Sequence, residues 1–344
     1  MKLLLIDTFS GLGHTQFNSI QINALKEIGH SITLVGKKNH YPNSVSDVTD
    51  QVYIIPNCLY NKDYKNLLGT VWDTFWEILR LLYIRVFILN RRIDRIVFLR
   101  YNVFGTLFFP TRKICYLFDH YSATEIENPF KRKIVSFYPR NFIHLGLNDN
   151  ISEHIKTLLP NKTTKTVSHG FLPSFDRVDS CSYVSLDECF VFCAASSSCD
   201  ETLLHSIISS PAVNKYLSDN RIKLLIKSKQ NIVSNDNIKA IKGFINNDDY
   251  KYLICNALSV LLPYDKSFGY RVSGVFFECV ANNISVIATN IPSFSVYKGN
   301  GQPLFLIDSE DDFLKALNGI NGLNKQWSKE LFDPGQQWKE LLQE

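Results

Sequence analysis

The stretch that most constrains this chain is its first 35 residues. Leu3–Asp7 opens as a short apolar run, and Ser10-Gly11-Leu12-Gly13-His14 is a glycine-rich turn. Thr15–Ile28 is an amphipathic stretch closed by Gly29, and Ser31–Val35 is a second apolar run. Strand, glycine turn, helix, glycine, strand is a βαβ unit, and that unit requires a parallel sheet. The alternation continues. Val52–Ile55, Arg95–Leu99, Lys113–Phe118, Phe142–Leu147 and Thr164–Ser168 are further strand candidates, with helices expected at Lys65–Leu89 and Ser152–Leu159.

After the polar, turn-rich stretch Pro173–Arg177 a second series begins. Its expected strands are Cys189–Ala194, Ile222–Ile226, Leu258–Leu262 and Ile284–Ala288; its expected helices are Thr202–Tyr216, Asp248–Asn256 and Val272–Ala281. A length of 344 residues is comfortable for two domains. The expectation is therefore an α/β chain of two Rossmann-like, doubly wound domains facing each other across a cleft. Residues 1–172 form the N-terminal domain and 173–325 the C-terminal one. Residues 326–344 add a last helix, about Gln336–Leu342, packing at the domain junction.

Composition narrows the class further. An apolar content of 45% with 20% charged residues is ordinary for a soluble globular protein. Met1–Asp7 passes from an apolar run directly to an acid, with no cleavage site of small residues, so it reads as a buried strand rather than a signal peptide. The 8 cysteines are scattered, with no Cys-x-x-Cys pair and no histidine cluster at zinc spacing. They read as reduced core residues of a cytoplasmic protein, with no metal site. The net charge of +4 hides an asymmetry: between Asn61 and Arg140 there are 14 Lys and Arg against 7 Asp and Glu, in the most aromatic part of the chain. Such a region suits an anionic partner, nucleic acid or an anionic membrane surface, or is simply a solvated basic face. Within it, Leu67–Leu89 carries Asp73, Glu77, Arg80 and Arg85. Each would cost about 2.5–3.5 kcal/mol at the centre of a bilayer, which argues against a span and for a helix part core and part surface. Core packing is the expectation for Trp72, Trp76 and Tyr83.

The densest chemistry lies between Leu261 and Pro292. A buried strand ends at Pro263, and a loop through Tyr270 and Arg271 leads to a helix whose first turn holds Ser273 and Gly274. A helix start offers free backbone N–H groups and the positive end of the dipole, glycine permits close approach, and serine adds a hydroxyl. Arg271 adds a fixed charge able to grip phosphate oxygens in a fork. Glu278, four residues past Gly274, lies one turn deeper on the same face, where a carboxylate can accept hydrogen bonds from a ribose diol. Lys227 and Lys229, past the second strand of this domain, could add phosphate charge or be plain surface lysines. In the first domain, Asp119 and His120 follow a predicted strand at its C-terminal end, where α/β sheets place ligands, and His14 follows the glycine turn.

The stretch Tyr270–Asn290 resembles the donor-binding segment of GT-B glycosyltransferases, especially bacterial retaining enzymes of cell-surface polysaccharide synthesis. Glu278 matches the second of two glutamates that family spaces eight apart, the one that typically holds the nucleotide ribose. Ile284–Thr289 matches its "PVIAT" strand, with Ser285 in place of Pro. Tyr270 stands where the first glutamate would be, the one that usually contacts the donor sugar. His169-Gly170-Phe171 resembles the turn closing the family's N-terminal domain, and Gly11-Leu12-Gly13-His14 its glycine loop. Ala194–Ser198 has no basic pair, a departure.

The resemblance implies transfer of a sugar from a nucleoside diphosphate donor to a glycan or polyprenyl-linked acceptor, with no divalent metal and no cofactor beyond the nucleotide sugar as co-substrate. Asp119, His120 or His14 would bind the acceptor hydroxyl or take its proton. The implied setting is cytoplasmic, peripheral on an anionic membrane, and not on nucleic acid. A sugar-nucleotide epimerase of the same fold and a non-catalytic partner subunit are the alternatives.

Overall fold

A computed structural model describes residues 1–9, 15–41, 43–60, 67–89, 92–120, 122–171, 173–185, 187–194, 198–227, 232, 234–299, 301–320, 326–328 and 332–343. The chain divides into two compact units, Met1–Gly170 with Phe332–Glu344, and Phe171–Leu331.

The first unit is built on a sheet of β1 (Lys2–Ile6), β2 (Ser31–Lys37), β3 (Gln51–Ile55), β4 (Arg95–Phe98), β5 (Cys115–Phe118), β6 (Phe142–Gly146) and β7 (Thr164–Thr166). Their order is β3-β2-β1-β4-β5-β6-β7, every neighbouring pair parallel. Leu3, Leu4, Leu5 and Ile6 are wholly buried, as are Cys115, Leu117 and Phe118. Unbroken apolar strands are what a sheet covered on both faces needs. The strand order reverses between β1 and β4, the place in such a sheet where ligands bind beyond the carboxyl ends.

The last helix, Pro334–Gln343, belongs to this first unit. Trp338 is fully buried, its ring edge-on to Tyr116 and Phe118, and its indole N–H donates to Gln21 Oε1 at 2.8 Å. Gln21 in turn donates to the carbonyls of Ser168 and His169 at 3.0 and 3.1 Å. The turn they form is held by Gly170 at φ +71°, where a Cβ would stand 2.5 Å from Ile20 Cγ2.

The second unit carries β8 (Cys189–Cys193), β9 (Ile222–Lys227), β10 (Ile238–Ile241), β11 (Ser259–Leu262), β12 (Val286–Thr289) and β13 (Leu304–Ile307). The order is β10-β9-β8-β11-β12-β13, again all parallel, with the reversal between β8 and β11. The structure adds β10 and β13 to the expected strands. It also divides the helix expected over Thr202–Tyr216. Pro211 cannot donate the backbone hydrogen bond a continuous helix needs, so one helix stops at Ser209 and a second starts at Pro211. Ser210 joins them, its hydroxyl accepting from Val213 N at 3.4 Å.

The helix expected over Lys65–Leu89 is described from Leu67 to Tyr83 and continues as a π turn over Ile84–Ile88. Among the described residues no helix is long and apolar enough to cross a membrane. Glu77, one of the charges read against a span, points inward: it is buried and accepts from Thr8 Oγ1 at 2.6 Å and from Arg80 Nη2 at 2.8 Å. Trp72, expected in the core, is 50% exposed. The core side of this helix is already filled by Leu81, Ile84 and Ile88, and Trp72 points the other way.

Candidate functional site

In the second unit the reversal between β8 and β11 sets out the expected constellation. β11 ends at Leu262, and the chain runs through Pro263, Tyr264 and a short turn, Lys266–Phe268, to the helix Gly274–Ala281. Ser273 is the residue before that helix, in extended conformation, and its hydroxyl accepts from Phe276 N at 3.3 Å. The same hydroxyl meets Tyr264 Oη at 2.9 Å. The serine expected to meet a phosphate is thus first of all a helix cap, fixed by a buried tyrosine whose ring lies near Phe268 and Phe294. Gly274 is exposed, and a Cβ built on it would have nothing within 4 Å. Open space therefore lies beside Gly274 at the helix start, where Ser273 already caps Phe276 N, and helix starts are where unpaired N–H groups and the dipole favour an anion. Arg271, three residues earlier, donates its backbone N–H to Phe268 O at 2.9 Å and is partly buried, as is Tyr270.

One turn deeper, Glu278 accepts from Tyr250 Oη at 2.5 Å. Burial pushes the Glu278 carboxyl above its ordinary value, with the tyrosine bond pulling it back, and the Tyr250 phenol is pushed well up by burial and by the glutamate beside it. Tyr250 comes from the helix Asn247–Asn256, whose start is capped by Asn246 accepting from Asp249 N at 2.8 Å. Lys227, the last residue of β9, sets its ammonium 6.0 Å from the centre of the Tyr250 ring. The structure thus gathers Lys227 and Glu278 around Tyr250, a residue that the sequence reading did not name. Nothing local marks it, since a tyrosine inside an amphipathic helix reads as ordinary packing. Lys229, Gly11, Gly13 and His14 lie outside the described residues.

In the first unit the expected proton acceptors stand at the carboxyl end of β5. Asp119 is fully buried, and both its oxygens are occupied, one accepting from Tyr101 Oη at 2.5 Å and the other from His144 Nδ1 at 2.9 Å. It braces the ends of β4, β5 and β6 rather than opening to solvent. His120 is partly buried, its ring edge-on to Phe17 at 4.3 Å, and Nε2 stands 3.2 Å from Leu99 O. A carbonyl only accepts, so in the neutral ring Nε2 carries the proton and Nδ1 the lone pair. His169 packs on the other reach of Phe17 at 5.0 Å. At the end of β1 the buried carboxylate of Asp7 accepts from Asn18 at 2.8 Å and Tyr41 at 2.6 Å, with His40 at 3.2 Å. No sequence signal beyond the acid after a strand pointed to that network.

No protein-family model matches the chain, and no curated protein matches it significantly. Solved structures do match over its whole length. The sucrose-phosphate synthase from Thermosynechococcus elongatus superposes with a TM-score of 0.62 at 10% identity, over 99% of this chain and 94% of that one. HepE from Anabaena, in complex with UDP-glucose, gives 0.61 at 12% identity over 100% and 99%. A glycosyltransferase from Rickettsia africae gives 0.59 at 12% identity over 99% and 97%. Two all-parallel sheets clothed in helices, matched along the whole chain to these enzymes, make this the α/β fold of GT-B glycosyltransferases.

Proposed function

We propose that this protein is a glycosyltransferase that moves a sugar from a nucleoside diphosphate donor to a glycan or polyprenyl-linked acceptor in bacterial surface polysaccharide synthesis. The observation that carries the reading is the open helix start at Gly274, with Arg271 before it and the Lys227–Tyr250–Glu278 group one turn deeper. The fold neighbours support it, one of them solved with UDP-glucose bound.

In the reaction the bond from the sugar's anomeric carbon to the diphosphate oxygen breaks, and a bond to an acceptor hydroxyl oxygen forms. Negative charge grows on the departing diphosphate, and the helix start with the Arg271 guanidinium stabilises that charge without a divalent metal. Glu278 accepts from the ribose hydroxyls, oriented by Tyr250. The acceptor hydroxyl loses a proton, and in the first unit His120 is the candidate to take it, while Asp119, held by Tyr101 and His144, braces the strand ends. With Tyr270 where the family's first glutamate would be, contact to the donor sugar falls to a phenol. The setting is the cytoplasmic face of the membrane, peripheral to it.

Arg271→Ala tests the reading. Because charge on the diphosphate grows toward the transition state, turnover should fall more than donor affinity does, by about tenfold or more in kcat. Equal losses would leave Arg271 with ground-state binding only. No loss in either would remove it from the site. Release of free nucleoside diphosphate from an offered donor, followed on the wild type, would exclude an inert partner subunit.

A further inference from the structure

The helix Leu67–Tyr83 with its π turn is apolar on two sides. One side is the core face, where Glu77, Leu81, Ile84 and Ile88 are buried at helical spacing. On the other, Val71, Phe75, Leu82 and Val86 recur at intervals of four, seven and four, with Trp72 beside them. These five are between 42% and 68% exposed. The short helix Gly105–Phe108 packs against this one on the Glu77 side, and its Leu107 and Phe108 are also exposed. Phe104, next to it, meets the exposed Phe130 at 6.0 Å, and Phe130 stands in the first turn of the helix Pro129–Ser136. So many large apolar side chains exposed along one helix and the element packed on it are unusual on a protein that stays in water.

Its rim carries positive charge. Arg85 is exposed beside the stripe, tied through Nε to Pro110 O at 3.0 Å, and Arg112 follows on the same loop. Arg132 and Lys133 follow Phe130, while Lys131 is paired with Glu125 at 2.8 Å. An apolar face with tryptophan and phenylalanine, bordered by arginine and lysine, is the pattern of a helix lying in a bilayer interface. From this we infer that the face Val71–Trp72–Phe75–Leu82–Val86, with Leu107 and Phe108, inserts into the headgroup boundary of an anionic lipid bilayer.

The inference deepens the peripheral-membrane part of the proposed function and rests on it. It goes beyond charge attraction, since it names insertion and the residues that insert. It also has a geometric consequence inside the first unit. Glu77, on the opposite side of the same helix, holds Thr8 at the carboxyl end of β1. The edge of the sheet where ligands bind is therefore about one helix diameter, about 10 Å, from the lipid. An acceptor sugar on a polyprenyl carrier would reach that edge without leaving the membrane.

Cosedimentation with phosphatidylcholine vesicles, with and without phosphatidylglycerol, tests this on the full chain without any sugar donor. Wild type should bind the anionic vesicles, and the Trp72 fluorescence should be quenched by brominated acyl chains, a signal that Trp72→Phe removes. Phe75→Asp with Val86→Asp should lower partitioning at least about tenfold while leaving UDP affinity by calorimetry unchanged. Arg132→Glu with Lys133→Glu should weaken binding only where the lipid is anionic. Binding that salt abolishes and Phe75→Asp with Val86→Asp leaves intact would overturn insertion, leaving adsorption through charge. A dimer that the same double variant dissociates, with no vesicle binding, would overturn the lipid and give the face to a second copy. UDP affinity is read in the same series, so loss of the membrane face and loss of the donor site are separate results.

Discussion

Tyr250 donates to Glu278 at 2.5 Å, and burial, partly offset by that bond, sets how this carboxyl responds to pH. Burial raises the Glu278 carboxyl, so the folded protein holds this proton more tightly than the unfolded chain does. Between the ordinary glutamate value and the raised one, the folded state keeps a proton that the unfolded state gives up. Stability therefore falls as pH rises through that window and is flat below it. Glu278→Gln should flatten that part of the curve and raise the melting temperature at neutral pH. Glu278→Ala should weaken nucleoside diphosphate binding about tenfold or more by calorimetry, the scale of hydrogen bonds to a charged group. A variant that melts higher yet binds as tightly would show that Glu278 serves the fold alone. Tyr250→Phe removes the bond that holds the carboxyl down, so the pH at which binding reaches half its plateau should move up, with affinity recovered in alkali; an unmoved profile would leave Tyr250 as packing. Ser273, Gly274 and Glu278 were legible in sequence because a helix start is a local object, written in consecutive residues. Tyr250 was not, since its meeting with Glu278 joins two helices 28 positions apart. Asp119 was visible as an acid after a strand, but its burial depends on Tyr101 and His144, which no spacing rule connects.

At the scale of elements, the parallel strands and the glycine-closed first helix could be read from period and punctuation. What escaped carried weaker period but clear local signals. Ser309-Glu310-Asp311-Asp312 opens the helix Glu310–Ile320, with Asp312 N donating to Ser309 Oγ at 3.2 Å, a capping pattern present in the sequence. Asn128-Pro129 opens the helix Pro129–Ser136 in the same way, Asn128 accepting from Phe130 N and Lys131 N. β10 and β13 are the two edge strands of the second sheet, and β10, Ile-Lys-Ala-Ile, is broken by a lysine where a central strand would be continuously apolar. The Leu67–Ile88 region is legible as a helix part core and part surface, yet Trp72, expected in the core, stands exposed, because periodicity alone does not say which of two apolar faces meets the sheet. One cap links an element to the site. Asn246 holds the start of the helix that presents Tyr250 one turn later. Asn246→Ala should cost about 1 kcal/mol in chemical denaturation. It should also weaken nucleotide binding if Tyr250 is placed by that first turn; a stability loss with unchanged affinity would separate the two.

Over the whole molecule, the arrangement least visible in sequence is that the chain's end completes its beginning. An amphipathic last helix with no strand after it was plain, but the contact that assigns it joins Trp338 to Gln21 across 317 positions. That contact fills the first unit: Trp338 is wholly buried against Tyr116 and Phe118, Gln337 Oε1 accepts from Ser168 N at 2.5 Å, and Arg95 reaches Leu341 O at 3.3 Å. Replacing a buried tryptophan by alanine costs about 3–5 kcal/mol, a large part of the stability of a domain this size. Because the lost contacts all lie in one unit, the cost should be local. Trp338→Ala should lower hydrogen-exchange protection along β1, β5 and the helix Thr15–Glu27 while β8 and β11 keep theirs, although β11 is nearer in sequence. Gln21→Ala should reproduce the pattern more weakly, since it removes the acceptor of the indole N–H and the two bonds to the Ser168–His169 carbonyls. Equal loss of protection in both sheets would mean that the two units unfold as one, and the division of the chain into separate folding units would then be wrong.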